Sequence, residues 1–128
     1  MTVVVGYIPN PYGEAALNAA VEEARRRRTR LVVVNTSKGD ALVDRKFASL
    51  EALDALEERI GTVEHEVRQS VGPDVADQLL DVVQELEAEL LVIGLRHRSP
   101  VGKMLMGSVA QRVLLDAPCP VLCVKPTV

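Results

Sequence analysis

The sequence is poor in aromatic residues and its net charge is negative. Phe, Tyr and Trp together make up 2% of the 128 residues, and Trp is absent. Proteins that hold single-stranded nucleic acid stack its bases on aromatic rings, so this composition argues against that class of function. A formal net charge of −3 at pH 7 argues equally against a general DNA- or RNA-binding protein. We therefore expect no nucleic-acid partner.

The sequence has no stretch with the composition of a membrane span or a secretory signal. A span needs about 18 consecutive apolar residues, and a signal places basic residues before an apolar core. Here Met1 is followed at once by the strand-like TVVVGYI. Cysteine is scarce too: Cys119 and Cys123 are four residues apart in a strand-like segment, roughly 13 Å along a strand, too far for a disulfide. Free thiols without a leader predict a cytoplasmic protein with no membrane partner.

The sequence also lacks the residue clusters of metal and catalytic sites. His65 and His97 have no Cys or His at zinc-ligand spacing. No histidine near Cys119 would activate it, so we expect both thiols to be small buried hydrophobes. Residues 97–104, HRSPVGKM, contain the Gly-Lys pair of the loop G-x-x-x-x-G-K-[ST], but His97 and Met104 replace its first glycine and its hydroxyl. We expect neither a metal nor a catalytic site.

Short apolar runs separated by amphipathic segments are abundant. The runs Thr2–Ile8, Leu31–Ser37 and 89–94 predict strands buried on both faces, the alternating Thr62–Ser70 predicts an edge strand, and 119–125 predicts a last strand. Residues 9–13, PNPYG, break the first run, and helical periodicity fills the intervals at Glu14–Arg28, Asp44–Ile60, 72–88 and 107–117. This alternation predicts a single α/β domain over residues 1–128, a doubly wound parallel sheet with helices on both faces.

The stretch Val92–Leu114, VIGLRHRSPVGKMLMGSVAQRVL, contains glycines, basic residues and a helix start. It follows a strand that, with the first strand, flanks the expected reversal of strand order, where such sheets bind ligands. Gly107 would let an anion approach the first helical amides, and the Ser108 hydroxyl can donate to it. The same residue types start ordinary helices, so the motif alone leaves phosphate binding and a plain helix cap both open.

The run Arg25–Arg30, RRRRTR, invites a nucleic-acid interpretation. It lies at the end of a predicted helix, where cations complement the helix dipole and remain solvated. We therefore interpret the run as structural.

The whole chain resembles the universal stress protein family of bacteria. The resemblance rests on the element order, the opening VVVGY and residues 92–125, VIGLRHRSPVGKMLMGSVAQRVLLDAPCPVLCVK. It implies a five-stranded parallel sheet of strand order 3-2-1-4-5, and often a homodimer through the last strand. It also implies a regulator that binds an adenine nucleotide, ATP or AMP, through G-x-x-G, nine residues and G-[ST]. The implied dimer residues are Val121, Leu122, Cys123 and Val124.

The nucleotide pattern can be carried onto this sequence position by position. Gly94 takes the first place and Gly107 and Ser108 the last two, with the nine-residue spacer intact. His97 stands where the pattern has its second glycine, and Ile8 where nucleotide-binding members carry an aspartate. The resemblance implies phosphates near the glycines and the base near Ile8 and Val34. The full implied set is Gly6, Tyr7, Ile8, Val34, Gly94, Arg96, His97, Arg98, Gly107, Ser108 and Val109.

Two other functions stay open beside nucleotide binding. Because the Ile8 side chain cannot accept the hydrogen bonds of a carboxylate, the chain could be a dimeric interaction module without a nucleotide. A third possibility, an enzyme of a related nucleotide-binding fold, would need a motif such as S-G-G-x-D-S or H-x-G-H, which the sequence lacks. We therefore expect a binding protein without efficient turnover, a prediction that leaves weak ATP hydrolysis or autophosphorylation open.

Overall fold

A computed structural model of the chain describes residues 1–37, 50–95 and 107–126. Strands and helices alternate along these residues. The strands are β1 (Thr2–Tyr7), β2 (Arg30–Ser37), β3 (His65–Val71), β4 (Leu90–Gly94) and β5 (Val121–Val124). The helices are α1 (Pro11–Arg27), α2 (Leu50–Ile60), α3 (Val75–Leu86) and α4 (Ser108–Asp116).

The five strands form one parallel sheet in the order β3-β2-β1-β4-β5, which confirms the predicted fold class and strand order. β1 lies at the centre, where Val3 pairs with Leu31 of β2 on one side and with Leu90 of β4 on the other. Its apolar run has no polar alternation because both faces of a central parallel strand are covered. Val3, Val4 and Val5 are accordingly 0% exposed.

The core consists of two layers, one on each face of the sheet. Val3 and Val5 pack with α1 and with Leu56 and Ile60 of α2. Val4 faces the opposite layer, which α3 and α4 cover. Successive side chains of a strand point to opposite faces, so this single apolar run supplies both layers.

Helix α1 begins earlier than the sequence pattern indicates. PNPYG was expected to be a break before a helix starting at Glu14, but α1 starts at Pro11. The Asn10 side chain accepts a hydrogen bond from the Gly13 N–H at 2.9 Å, and the proline occupies a first-turn position where no N–H is needed. The turn-forming residues are therefore the cap and first turn of the helix.

Other boundaries also shift by a few residues. β1 ends at Tyr7, so Ile8 lies just beyond it, and Cys119 precedes β5 instead of lying within it. β3 starts at His65, later than expected. Residues 44–49 of the predicted second helix lie outside the described residues.

The basic run at the end of α1 is paired with local carboxylates. Arg25 contacts Glu22 at 3.0 Å, and Arg26 forms an ion pair with Glu23. The backbone N–H of Arg28 caps the helix by donating to carbonyls of the last turn. These contacts support the structural interpretation of RRRRTR. Among the described residues, no helix is long and apolar enough to cross a membrane.

Candidate functional site

A cavity of about 480 Å³ opens at the carboxyl ends of β1 and β4. The segment after β1 leads through α1 to β2, which lies on one side of the β1–β4 pair in the sheet. The segment after β4 leads through α4 to β5, which lies on the other side of that pair. Residues at the starts of both helices, Gly13 of α1 and Ser108 of α4, accordingly line this cavity. Doubly wound sheets bind ligands at such a reversal of strand order, and the volume lies within the range of small-molecule sites.

Most of the site residues expected from the sequence meet at this cavity. Those that line it are Gly6, Tyr7, Ile8, Gly94, Gly107, Ser108 and Val109. Val34 does not: it lies in β2, is 0% exposed and packs in the layer covered by α3. Thr36, two residues further along the same strand, reaches the cavity instead. Arg96, His97 and Arg98 lie outside the described residues.

Sequence reasoning missed several lining residues. Asn10, Tyr12 and Gly13 belong to the segment interpreted as a break, and α3 contributes Val75 and Leu79. A signal for part of this set is present in the sequence, because polar residues that directly follow a buried strand lie at the carboxyl edge where ligands bind. The contribution of α3 has no such local signal, since it depends on how that helix packs.

The start of α4 presents backbone N–H groups to the cavity, and within residues 1–37, 50–95 and 107–126 none of them has a hydrogen-bond partner in the helical ladder. The first backbone hydrogen bond within the helix runs from the Gln111 N–H to the Gly107 carbonyl at 3.1 Å, so the amides of Ser108, Val109 and Ala110 precede the helical ladder. No described side chain caps this end. Gly107 and Ser108 are exposed, and a Cβ on Gly107 would meet no described atom within 4 Å. An anion can therefore approach these amides and the positive end of the helix dipole.

The start of α1 is packed much more tightly. A Cβ on Gly13 would lie 1.8 Å from the Ile8 carbonyl oxygen, and a Cβ on Gly94 would lie 2.4 Å from the Tyr12 carbonyl oxygen. Both positions therefore need glycine so that the first turn of α1 can contact the ends of β1 and β4. Gly94, expected as a phosphate-binding residue, has this packing role whether or not a ligand is bound.

Hydrogen bonds hold the carboxyl end of β1 in place. The Tyr7 hydroxyl donates to Glu14 at 2.6 Å, and Glu14 also forms an ion pair with Arg59 of α2. The buried Asn35 amide donates to the Tyr7 carbonyl at 3.0 Å. Burial and then the hydrogen bond to Glu14 raise the pKa of Tyr7 well above its ordinary value, so the phenol stays protonated and keeps donating.

The described lining of the cavity carries no side chain that is charged at neutral pH. Its walls are mainly apolar, with Ile8, Leu79 and Ile93 among them, and its polar side chains include Asn10 and Ser108. Within residues 1–37, 50–95 and 107–126 no group of three or more His, Cys, Asp or Glu could hold a metal ion. The arrangement suits a ligand with an apolar body and an anionic end that backbone amides can hold.

These features define a doubly wound α/β protein with a ligand-sized cleft where the strand order reverses. The Universal stress protein family model matches residues 1–125, and the chain belongs to this family.

A universal stress protein of Mycolicibacterium smegmatis is 51% identical over 126 residues, covering 97% of each chain. Two solved structures are similar, each covering 98% of both chains. The universal stress protein from Archaeoglobus fulgidus has a TM-score of 0.82 at 34% identity. A structure of the universal stress protein from the same organism in complex with dAMP has a TM-score of 0.76 at 30% identity.

Proposed function

We propose that this protein binds an adenine nucleotide, ATP or AMP, at the carboxyl ends of β1 and β4 and acts as a regulator. The observation that carries the proposal is the start of α4, which no side chain of the described residues caps. Ser108, Val109 and Ala110 precede the helical ladder there, and a Cβ on Gly107 would meet no atom of the described residues within 4 Å. Backbone amides at a helix start are strong ligands for phosphate oxygens.

In this proposal the phosphates contact the amides at the start of α4 and the Ser108 hydroxyl. The nucleoside lies against the apolar wall formed by Ile8, Leu79 and Ile93. Arg96, His97 and Arg98 follow β4 in sequence and are proposed to add positive charge near the phosphates. The dAMP complex of the Archaeoglobus fulgidus relative supports an adenine nucleotide as the ligand class.

We propose binding without efficient turnover. General acid–base catalysis needs a side chain that can exchange a proton near the ligand. Among the described lining residues the ionisable side chains are those of Tyr7 and Tyr12, and the phenol of Tyr7 is held protonated by burial and by Glu14. The described thiols, Cys119 and Cys123, are free and do not line the cavity, which fits the cytoplasm as the proposed compartment.

Nucleotide binding can be tested by direct titration. Purified protein is denatured and the supernatant analysed for nucleotide. AMP and ATP are then titrated calorimetrically into stripped, refolded protein. We expect saturable heat with one site per chain. If no nucleotide is released and no heat appears at millimolar ligand, the alternative of a nucleotide-free interaction module is favoured, an alternative that the aliphatic Ile8 in the cavity wall supports.

We further propose that the protein is a homodimer through β5, with Val121, Leu122, Cys123 and Val124 at the interface. β5 is an edge strand of half-buried apolar residues, whereas the opposite edge, β3, carries the charged Glu66 and Arg68. Charged side chains discourage pairing at a sheet edge and apolar ones permit it. The uncharged edge is therefore the better candidate for pairing with a second chain.

A proline at Cys123 should separate the dimer into monomers. The Pro120 and Val124 carbonyls accept hydrogen bonds from Leu91 and Leu95 on the β4 side. The N–H and C=O groups of successive strand residues point alternately to the two sides of the strand. The Cys123 N–H therefore points away from β4, to the free edge. Cys123→Pro thus removes an edge donor without breaking a bond to β4. Cys123→Ala, which keeps the N–H, should remain dimeric in analytical ultracentrifugation. A wild-type monomer at micromolar concentration would contradict the proposal.

A further inference from the structure

The guanidinium of Arg112 joins α4 to α3. Its Nη1 lies 2.8 Å from Asp74 Oδ2, and its Nη2 forms an ion pair with Asp77. Asp74 is the N-cap residue of α3 and also accepts from the Asp77 N–H at 3.1 Å. Arg112 therefore contacts the first turn of α3 at two points, with the planar, forked geometry that suits paired carboxylates. A third carboxylate, Asp116, lies 3.5 Å from Arg112 Nε but belongs to α4 itself.

Within the part of the chain that the structure describes, the fully buried apolar surface of helix α4 is small. The helix is nine residues long, and Ala110 and Val113 are its buried residues. Leu114 and Leu115, near its end, are exposed. The half-buried Val109 packs against the same layer, and the ion pairs of Arg112 add polar contacts that tie the side of α4 to the first turn of α3.

The two helices joined by Arg112 form the same wall of the cavity. α3 contributes Val75 and Leu79, and α4 contributes Ser108, Val109 and Ala110. Arg112 is one helical turn after Ser108 and does not itself line the cavity. A change in the Arg112 contacts would therefore shift the first-turn amides of α4 relative to the apolar wall without removing any group that touches a ligand.

We propose that Arg112 is a positioning residue that places the first-turn amides of α4 for the phosphate of the bound nucleotide. The proposal rests on the proposed nucleotide-binding function. It differs from a simple charge effect, in which a cation near the site attracts the phosphate through space. If Arg112 acts by positioning, the AMP affinity depends on its contacts to Asp74 and Asp77. If it acts by charge, the AMP affinity depends on the sum of the charges near the site.

Three substitutions separate these two explanations, with AMP as the probe and calorimetry as the measurement. Arg112→Lys keeps the charge but loses the fork, so positioning predicts weaker AMP binding and a charge effect predicts no change. Asp77→Asn removes a negative charge: a charge effect predicts tighter binding, and positioning predicts weaker binding. Asp116→Asn is the matched control, because it makes the same charge change at a carboxylate that does not bridge the helices.

We expect Arg112→Lys and Asp77→Asn each to raise the AMP Kd by about three- to tenfold, and Asp116→Asn to leave it within about twofold. Adenosine, which lacks the phosphate, should bind all variants and the wild type equally. Each variant is confirmed to be folded at the assay temperature by circular dichroism.

Several results would overturn the proposal. Arg112→Lys binding AMP like the wild type, or Asp77→Asn binding it more tightly, would show a charge effect. Equal losses for adenosine and AMP would show a general effect on stability. If adenosine binds too weakly to measure, the comparison of Asp77→Asn with Asp116→Asn decides alone. If wild-type protein does not bind AMP, the proposed function is wrong and this inference is wrong with it. If the wild type binds AMP but the variants do not show the expected loss of affinity, only this inference is wrong.

Discussion

Gly13→Ala should destabilise the protein by about 3 kcal/mol or more, the upper range for overpacking a well-packed site. Helix propensity alone predicts the opposite, since alanine in a helix is favoured over glycine by about 1 kcal/mol. Contacts decide the sign: the added Cβ would lie 1.8 Å from the Ile8 carbonyl oxygen and 2.8 Å from the Ile8 nitrogen. Both atoms belong to the backbone, so neither can rotate away, and the first turn of α1 would have to move off β1.

Urea unfolding followed by circular dichroism measures this effect. Gly107→Ala is the control, because it adds the same methyl group at a position where no described atom lies within 4 Å. We expect it to change the free energy of unfolding by about 1 kcal/mol or less, the usual difference between residues at a helix N-cap. A Gly13→Ala protein that is more stable than the wild type would mean that the α1–β1 contact is not as close as described.

Gly107→Val should abolish AMP binding while leaving the protein folded. The open space around Gly107 accommodates the side chain without a clash with described atoms. The same space is where phosphate oxygens would approach the amides of Ser108 and Val109, so an isopropyl group there excludes them. We expect the AMP Kd to rise by about a hundredfold or more, as for the loss of two charge-assisted hydrogen bonds.

The matched control for that loss is Arg26→Ala. Arg26 is exposed in the last turn of α1, remote from the cavity, where it forms an ion pair with Glu23. Its removal changes the net charge but leaves the start of α4 untouched, so AMP should bind as in the wild type. Equal loss of affinity in both variants would place the nucleotide elsewhere on the molecule.

Hydrophobic patterning was enough to predict the architecture. The unbroken apolar runs of β1, β2 and β4 predicted strands covered on both faces, and the alternating run around β3 predicted an edge strand. The predicted ends of the helices and strands were less accurate, because Pro and Gly occur both in turns and in the first turn of a helix. Pro11 and Gly13 indicate a break between strand and helix when only the sequence is considered. In the structure both residues belong to the first turn of α1, because Asn10 caps the helix in front of them.

The candidate site was predictable only in part. Gly107 and Ser108 could be identified from the sequence because a helix start is a local feature. The sequence did not show that Thr36, and not Val34, lines the cavity. Which residue of β2 reaches the cavity depends on how far this strand extends past the core of the sheet. The packing role of Gly94 was equally hidden, because the atom that requires it belongs to Tyr12, more than eighty positions earlier in the chain.

The sequence by itself determined the class of fold and the approximate positions of its strands and helices. These follow from periodicities of two and 3.6 residues, which depend on neighbours a few positions away. The tertiary structure alone decided which glycines are required for packing, which polar residues reach the cavity and that Arg112 joins α4 to Asp74, 38 positions away. Such contacts depend on the distances between packed elements, which no local pattern encodes.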